Sequence, residues 1–267
     1  MYICDTHTHS RYSFDGEESV DALCRAACAA GLSALVITDH YDIDCIDLGF
    51  YPDLDTAGVR RDIERAKADY AGRLAVFRGV ELGQAYLRPA AARKFLDEGQ
   101  YDFVIGSCHN LAGFPDFSHI NFSDMNDTEK LYFYRRMIAE VRGVLDFPEV
   151  RTVAHLTYPL RYMQRTSGSI PPLDALREEF TDLFRAIIGK GVAVELNTAG
   201  FWKGIIEPKT EKWVLSLYRA CGGELVTIGS DAHASKNIGR MFKEGYDLLR
   251  EVGFKYVVTP DGMKDIE

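Results

Sequence analysis

Eight short runs of β-branched and apolar residues recur along the chain, and stretches of helical spacing fill the intervals. The runs are Tyr2–Cys4, Ala34–Thr38, Leu74–Val80, Asp102–Gly106, Arg151–Ala154, Val192–Leu196, Leu225–Gly229 and Lys255–Val258. Most are almost continuously apolar, as in "ALVIT" and "VAVEL", with no polar alternation. Strands that read this way are buried on both faces, as in a parallel sheet covered by helices. Helices are expected over Ser19–Ala30, Thr56–Tyr70, Asp127–Val144, Pro172–Gly189, Lys209–Cys221 and Ile238–Val252, several of them stopped by glycine. Strand and helix in alternation predict an α/β fold. Seven or eight strands in 267 residues suit a closed barrel, with an open doubly wound sheet as the alternative. No internal repeat, low-complexity linker, GxGxxG or Walker loop interrupts the pattern, so residues 1–267 read as one domain. Two irregular stretches, Tyr41–Asp55 and Asn110–Asn126, follow strands and are long enough to cover a site.

Charge and cysteine usage narrow the function. Lysine and arginine number 31 against 40 acids, a net charge of −9 that disfavours nucleic acid as the main partner. None of the six cysteines forms a CxxC pair, and Cys24 and Cys28 share a helix face. No signal segment precedes the first motif, and no apolar run reaches the roughly 18 residues of a membrane span. A reducing cytoplasm is the expected location, with no membrane partner.

Six of the seven histidines fall at or just past the C-terminal end of an expected strand: His7, His9, His40, His109, His155 and His233. Asp15, Asp39, Glu81, Asp231 and Asn197 share those positions. In a barrel, all such ends open on one mouth, where active sites are built. Crowded carboxylates repel unless protonated or bound to a cation. Mixed imidazole and carboxylate donors suit zinc, iron or manganese. Taken singly, each piece has an ordinary explanation: a turn cap, a loop acid, a helix start. Together they predict a metal centre. His119 fits no strand end and reads as structural or surface.

At this point the chain resembles a known family. "HTHS" (His7–Ser10), "ITDH" (Ile37–His40), Glu81, "GSCH" (Gly106–His109), "AH" (Ala154–His155) and "GSDAH" (Gly229–His233) resemble the ordered motifs of the PHP (polymerase and histidinol phosphatase) superfamily. "SCHN", "YPLRY" (Tyr158–Tyr162) and "ELNTAG" (Glu195–Gly200) are similar to its histidinol-phosphatase branch. The resemblance implies a distorted TIM-like (β/α)7 barrel with three divalent ions (Zn, Fe or Mn) at the C-terminal ends of the strands. It implies that His7, His9, Glu81 and Asp231 hold one ion. A second would share Glu81 and add His109 and His155. A third would take Asp15, His40 and His233, with Asp15 a point of variation because several relatives carry histidine there.

The expected chemistry is hydrolysis of a small phosphomonoester, most specifically L-histidinol phosphate of histidine biosynthesis, by a metal-bound hydroxide. Asp231 is a candidate for the proton of the leaving group. Arg161, placed in a loop past His155, is the expected phosphate ligand and catalytic cation. Asn197 and Arg11 are further candidate substrate contacts. Asp5 and Asp39 adjoin ligand histidines and are expected to accept their second N–H bonds. Asp42, Asp44, Tyr41 and Phe50 would suit a cationic head. The main alternative is a phosphoesterase of the same family acting on other monoesters or nucleotides. An amidohydrolase-type barrel would want lysine where His109 stands and histidine where Asn197 stands. A catalytically silent relative would have lost ligands, whereas all nine positions are filled.

Overall fold

A computed structural model describes all residues, 1–267. Seven parallel strands form a nearly closed barrel: β1 (Cys4–Asp5), β2 (Ala34–Ile37), β4 (Ala75–Gly83), β5 (Phe103–Ser107), β6 (Val150–Val153), β7 (Ala193–Asn197) and β8 (Val226–Gly229), paired in that order. A short strand inside the first irregular stretch, β3 (His40–Asp42), pairs parallel with the upper half of β4, so that His40 lies opposite Glu81. The helices are α1 (Val20–Ala29), α2 (Ile43–Asp47), α3 (Thr56–Asp69), α4 (Pro89–Gly99), α5 (Asp127–Val141), α6 (Tyr158–Ser167), α7 (Arg177–Lys190), α8 (Ala199–Trp202), α9 (Pro208–Ala220) and α10 (Phe242–Val252). None is long and apolar enough to cross a membrane.

Three expectations are corrected here. The eighth run does not join the barrel: β9 (Tyr256–Thr259) pairs antiparallel with β10 (Gly262–Asp265). Helices α2, α4, α6 and α8 were not anticipated. Pro89 and Pro159 stand in the first turns of α4 and α6, where a missing N–H costs nothing. "YPLRY" is therefore a helix start, and Arg161 sits on its first turn instead of in a loop.

Alternation along β4 explains the barrel interior. Val76, Val80 and Leu82 pack into the large core between sheet and helices. Ala75 and Phe77 face the opposite way, against an interior plug of Cys4, Ala34, Val36, Phe103, Ile105 and Ala154. Next on that inward row comes Gly79, where a Cβ would lie 2.6 Å from Thr38 Cγ2 and 2.9 Å from the Phe103 carbonyl oxygen. The row ends at Glu81, at the mouth.

The seam between β1 and β8 is closed by an aspartate. The buried Asp5 carboxylate accepts from the Ser230 N–H (2.9 Å), the Ser230 hydroxyl (2.5 Å), the Gly239 N–H (3.0 Å) and the His7 N–H (3.3 Å). Burial pushes its pKa up to about 6 against those donors. Asp5→Ala would strand three backbone N–H groups, two of them buried, and the buried Ser230 hydroxyl, a loss of about 3 kcal/mol or more. Thermal unfolding should show a midpoint lower by roughly 5–10 °C; an unchanged midpoint would show that the seam does not depend on Asp5.

Candidate metal centre

One buried carboxylate organises the mouth. Glu81 Oε1 lies 2.9 Å from His109 Nε2 and 2.9 Å from His155 Nε2. Its Oε2 lies 3.1 Å from His7 Nε2, 3.4 Å from His9 Nε2 and 3.1 Å from His40 Nδ1. Asp231 Oδ1 approaches His7 Nε2 (3.9 Å), His9 Nε2 (3.6 Å) and His233 Nδ1 (3.6 Å). Asp15, partly exposed at the rim, lies 3.1 Å from His233 Nε2 and 3.7 Å from His40 Nε2. The six strand-end histidines and the three expected acids therefore form one cluster.

These side chains fit divalent ions. Nε2 of His7, His9 and His233, Nδ1 of His40 and Oε2 of Glu81 are buried without a hydrogen-bond partner. Buried polar atoms without partners are costly, and bound cations would satisfy them. Several carboxylate–imidazole separations fall near 3.4 Å, about the edge of a tetrahedron with bonds of about 2.1 Å to a central ion. Three of the triplets that converge within 4.8 Å are His7–Glu81–His155, His7–His9–Asp231 and His9–His40–His233.

The cluster is a balance of charge. Burial works to depress His7, but Glu195, Glu81 and Asp231 outweigh it and hold that imidazole well above its ordinary range. Burial, with His233 and His40, drives His9 well below it. Burial raises Glu81, yet His7, His109 and His40 overcome this and hold it well below the carboxylate range. Asp231 is likewise held low against burial, chiefly by His7 and His9. Ionised acids beside imidazoles are the donor set that a divalent ion requires.

Other residues fix the ring orientations, and two of them were missed as orienting groups by sequence reasoning. Glu195 Oε1 lies 2.7 Å from His7 Nδ1, and its Oε2 accepts from the His155 N–H at 2.8 Å. Asp42 Oδ1 lies 2.7 Å from His109 Nδ1, and its Oδ2 lies 3.2 Å from His40 Nδ1. Glu195 was legible in principle: it precedes Asn197 by two in a strand and so shares its face. The expected bonds from Asp5 and Asp39 to histidine are corrected. Asp5 closes the barrel seam. Asp39 acts at one remove, accepting from the Ser13 hydroxyl (2.8 Å), which lies 3.2 Å from His9 Nδ1.

Arg161 is fully buried at the same mouth. Its Nη2 donates to Asn197 Oδ1 at 2.9 Å, its Nη1 lies 3.5 Å from Asp231 Oδ2, and its Nε has no partner. Asn197 Nδ2 reaches Asp231 Oδ2 at 3.3 Å, so the three residues form one chain. Arg11 does not belong with them. It is exposed, pairs with Asp62 of α3 at 3.2 Å and lies over the Tyr12 ring. The loop after His9 turns outward before the arginine is reached.

Comparison with known proteins agrees with this geometry. The profile of the family described as PHP domain matches residues 5–199. A histidinol-phosphatase from Lactococcus lactis subsp. lactis (strain IL1403) is 28% identical over 267 residues, covering 99% of this chain and 96% of that protein. A probable histidinol-phosphatase from Thermotoga maritima is 28% identical, covering 98% and 97%. The crystal structure of histidinol phosphate phosphatase from Lactococcus lactis, complexed with zinc, L-histidinol and phosphate, superposes with a TM-score of 0.83. That match is at 25% identity and spans 98% of this chain and 99% of that one.

The orienting role of Glu195 is open to measurement. Glu195→Gln keeps the shape but weakens the hold on His7. Affinity for a divalent ion, read by chelator competition, should fall on the order of 10–100-fold with little change in folding. An unchanged affinity would assign Glu195 to packing alone.

Proposed function

The chain belongs to the PHP domain family, and from that premise we propose that it is a metal-dependent phosphomonoesterase that hydrolyses L-histidinol phosphate to L-histidinol and phosphate. The reaction is a step of histidine biosynthesis. The observation that carries the phosphatase reading is the set of five unpartnered, buried ligand atoms facing one another beside a buried arginine with a free Nε. The substrate reading draws on the Lactococcus and Thermotoga relatives, which match over nearly the whole length of both chains.

The proposed assignment is three ions. His7, His9, Glu81 and Asp231 hold the first; Glu81, His109 and His155 the second; Asp15, His40 and His233 the third. Zinc, iron and manganese all suit these donors. When bound, the ions supply Lewis acidity and an activated water for in-line attack on phosphorus.

The chain's own residues do the rest. Arg161 keeps its Nε–H without a partner, on the guanidinium edge it shares with Nη2, and such an edge binds phosphate oxygens in one plane. Asn197 fixes that plane through Nη2 and ties it to Asp231. Asp231 Oδ2, oriented by Asn197 and Arg161, is the group placed to pass a proton to the leaving alcohol. Glu81 and Asp231, buried within the mouth, keep water-screening low and electrostatic contacts strong.

Phosphate release from L-histidinol phosphate, AMP and p-nitrophenyl phosphate, after chelation and after adding back Zn, Mn or Fe, tests this reading. Turnover should require metal. L-histidinol phosphate should lead by about a hundredfold or more in kcat/KM, about 2.7 kcal/mol of transition-state discrimination. Similar rates on all esters would leave a phosphatase of other specificity; no release with any ester would overturn the reading. Arg161→Ala should lower kcat/KM on every ester by about 10²–10³, the effect of removing one charge-stabilising contact. A loss confined to one ester would take Arg161 off the phosphate.

A further inference from the structure

Three consecutive residues where β6 leads into α6 are each held by a side chain from a different element. Glu195 of β7 accepts from the His155 N–H at 2.8 Å. Tyr134 of α5 donates its hydroxyl to the Leu156 carbonyl at 2.6 Å. Glu211, in the first turn of α9, accepts from the Thr157 hydroxyl. The phosphatase reading uses His155 and leaves Thr157 and Glu211 without a role. Yet Glu211 is only 3% exposed, and the Thr157 hydroxyl is the one hydrogen-bond partner of its carboxylate. A buried acid that forms no ion pair is costly to keep. Burial pushes its pKa up to about 7; the Thr157 hydroxyl and the Arg161 charge oppose that rise, and the Glu195 charge adds to it.

Thr157 departs from the habit of its position. It is the N-cap of α6, where a threonine hydroxyl ordinarily accepts from a backbone N–H of the first turn. Here the hydroxyl makes no such cap and is spent on Glu211. The Thr157 carbonyl meanwhile accepts from the Leu160 N–H at 3.0 Å and the Arg161 N–H at 3.3 Å. One residue therefore joins the first turn of α6, which carries Arg161, to the buried acid of α9. We infer that Glu211 is a positioning residue for Arg161: through Thr157 it sets where α6 begins, and so where the guanidinium stands. The inference rests on the phosphatase reading above, in which Arg161 binds phosphate, and adds to it a residue that touches neither metal ligand nor substrate. Arg161 reaches Asn197 at 2.9 Å and Asp231 at 3.5 Å, so a small slide of the turn would break both contacts. A misplacement of about 1 Å in such a group can cost about a hundredfold in rate.

Variants of the metal-loaded enzyme, assayed on L-histidinol phosphate and p-nitrophenyl phosphate, test the assignment. Glu211→Leu removes the acceptor and Thr157→Val the donor; each should lower kcat/KM by about 10–100-fold on both esters. Glu211→Gln keeps a neutral acceptor of the same shape and should restore most of the loss. In an Arg161→Ala background Glu211→Leu should cost little more, because its effect passes through a side chain already gone. Zinc affinity, read by chelator competition, should not change. A loss in the Arg161→Ala background as large as in the wild type would overturn the inference and assign Glu211 to packing. A fall in zinc affinity would overturn it too, by routing the effect through His155. If Glu211→Leu does not fold, Thr157→Val in the two backgrounds makes the same comparison. Failure of the wild type on every ester would instead sink the phosphatase reading, and the inference with it.

Discussion

A single carboxylate, Glu81, touches five imidazoles, and the upper half of the barrel is arranged around that contact. An isolated ionised carboxylate could not be buried there, because desolvation would far exceed any packing gain. β4 supplies the position by being longer than its neighbours. Its lower half pairs with β2 and its upper half with β3, so the chain leaves the sheet after Ile37 and returns at His40 beside the same strand. That detour places His40 and Asp42 at the mouth. A regular β2 would have carried them past it.

Below Glu81 the interior changes character in layers. The lowest is the apolar plug, with Phe103 and Ile105 at its centre. Above it Thr152 and Thr227 share a hydroxyl contact of 3.0 Å across the barrel. Then come Glu195, Asn197 and the ionic cluster. Water reaches the charges only from the mouth, so each pairing acts in a medium of low effective dielectric. The Asp5 seam serves the same end. By joining β1 to the segment after β8 it fixes His7 and His9 relative to Asp231, and the Asp231 N–H donates to the His7 carbonyl at 2.9 Å.

How much of this is legible in the sequence depends on the range of the interaction that fixes each part. The barrel strands and the strand-end histidines were legible because burial on both faces and the parallel α/β topology are written locally, run by run. The nine candidate ligands converge as that topology requires. Arg11 misled because its neighbours in sequence, His7 and His9, are in the site, while its neighbour in space is Asp62 of α3. Asp42 was obscured by lying in a loop-like stretch whose strand forms only by pairing with β4. Arg161 was expected in a loop and lies on a helix, since Pro159 reads equally as a loop residue and as a helix start. The fate of Lys255–Val258 was not legible either: the run is a good strand, and only the closure of seven strands leaves it outside.

Of the four non-glycine residues with positive φ, Gln100 and Met241 lie at helix ends and the other two lie at the site. Asp231 has φ of +53° and Gln84 has φ of +48°, the left-handed region that glycine occupies at lower cost. Glycine there would remove the functional side chain. Asp231 needs its carboxylate between His7, His9 and Arg161. Gln84 needs its amide to accept from the His109 N–H at 3.3 Å while it bonds Asn110. Each strained residue costs on the order of 1 kcal/mol or more, and the surrounding packing has to hold it. Both are buried and flanked by β-strand ends that pair on either side. The rigid barrel is thus what lets two L-residues stay in a glycine conformation, with their side chains turned toward the candidate metal ligands.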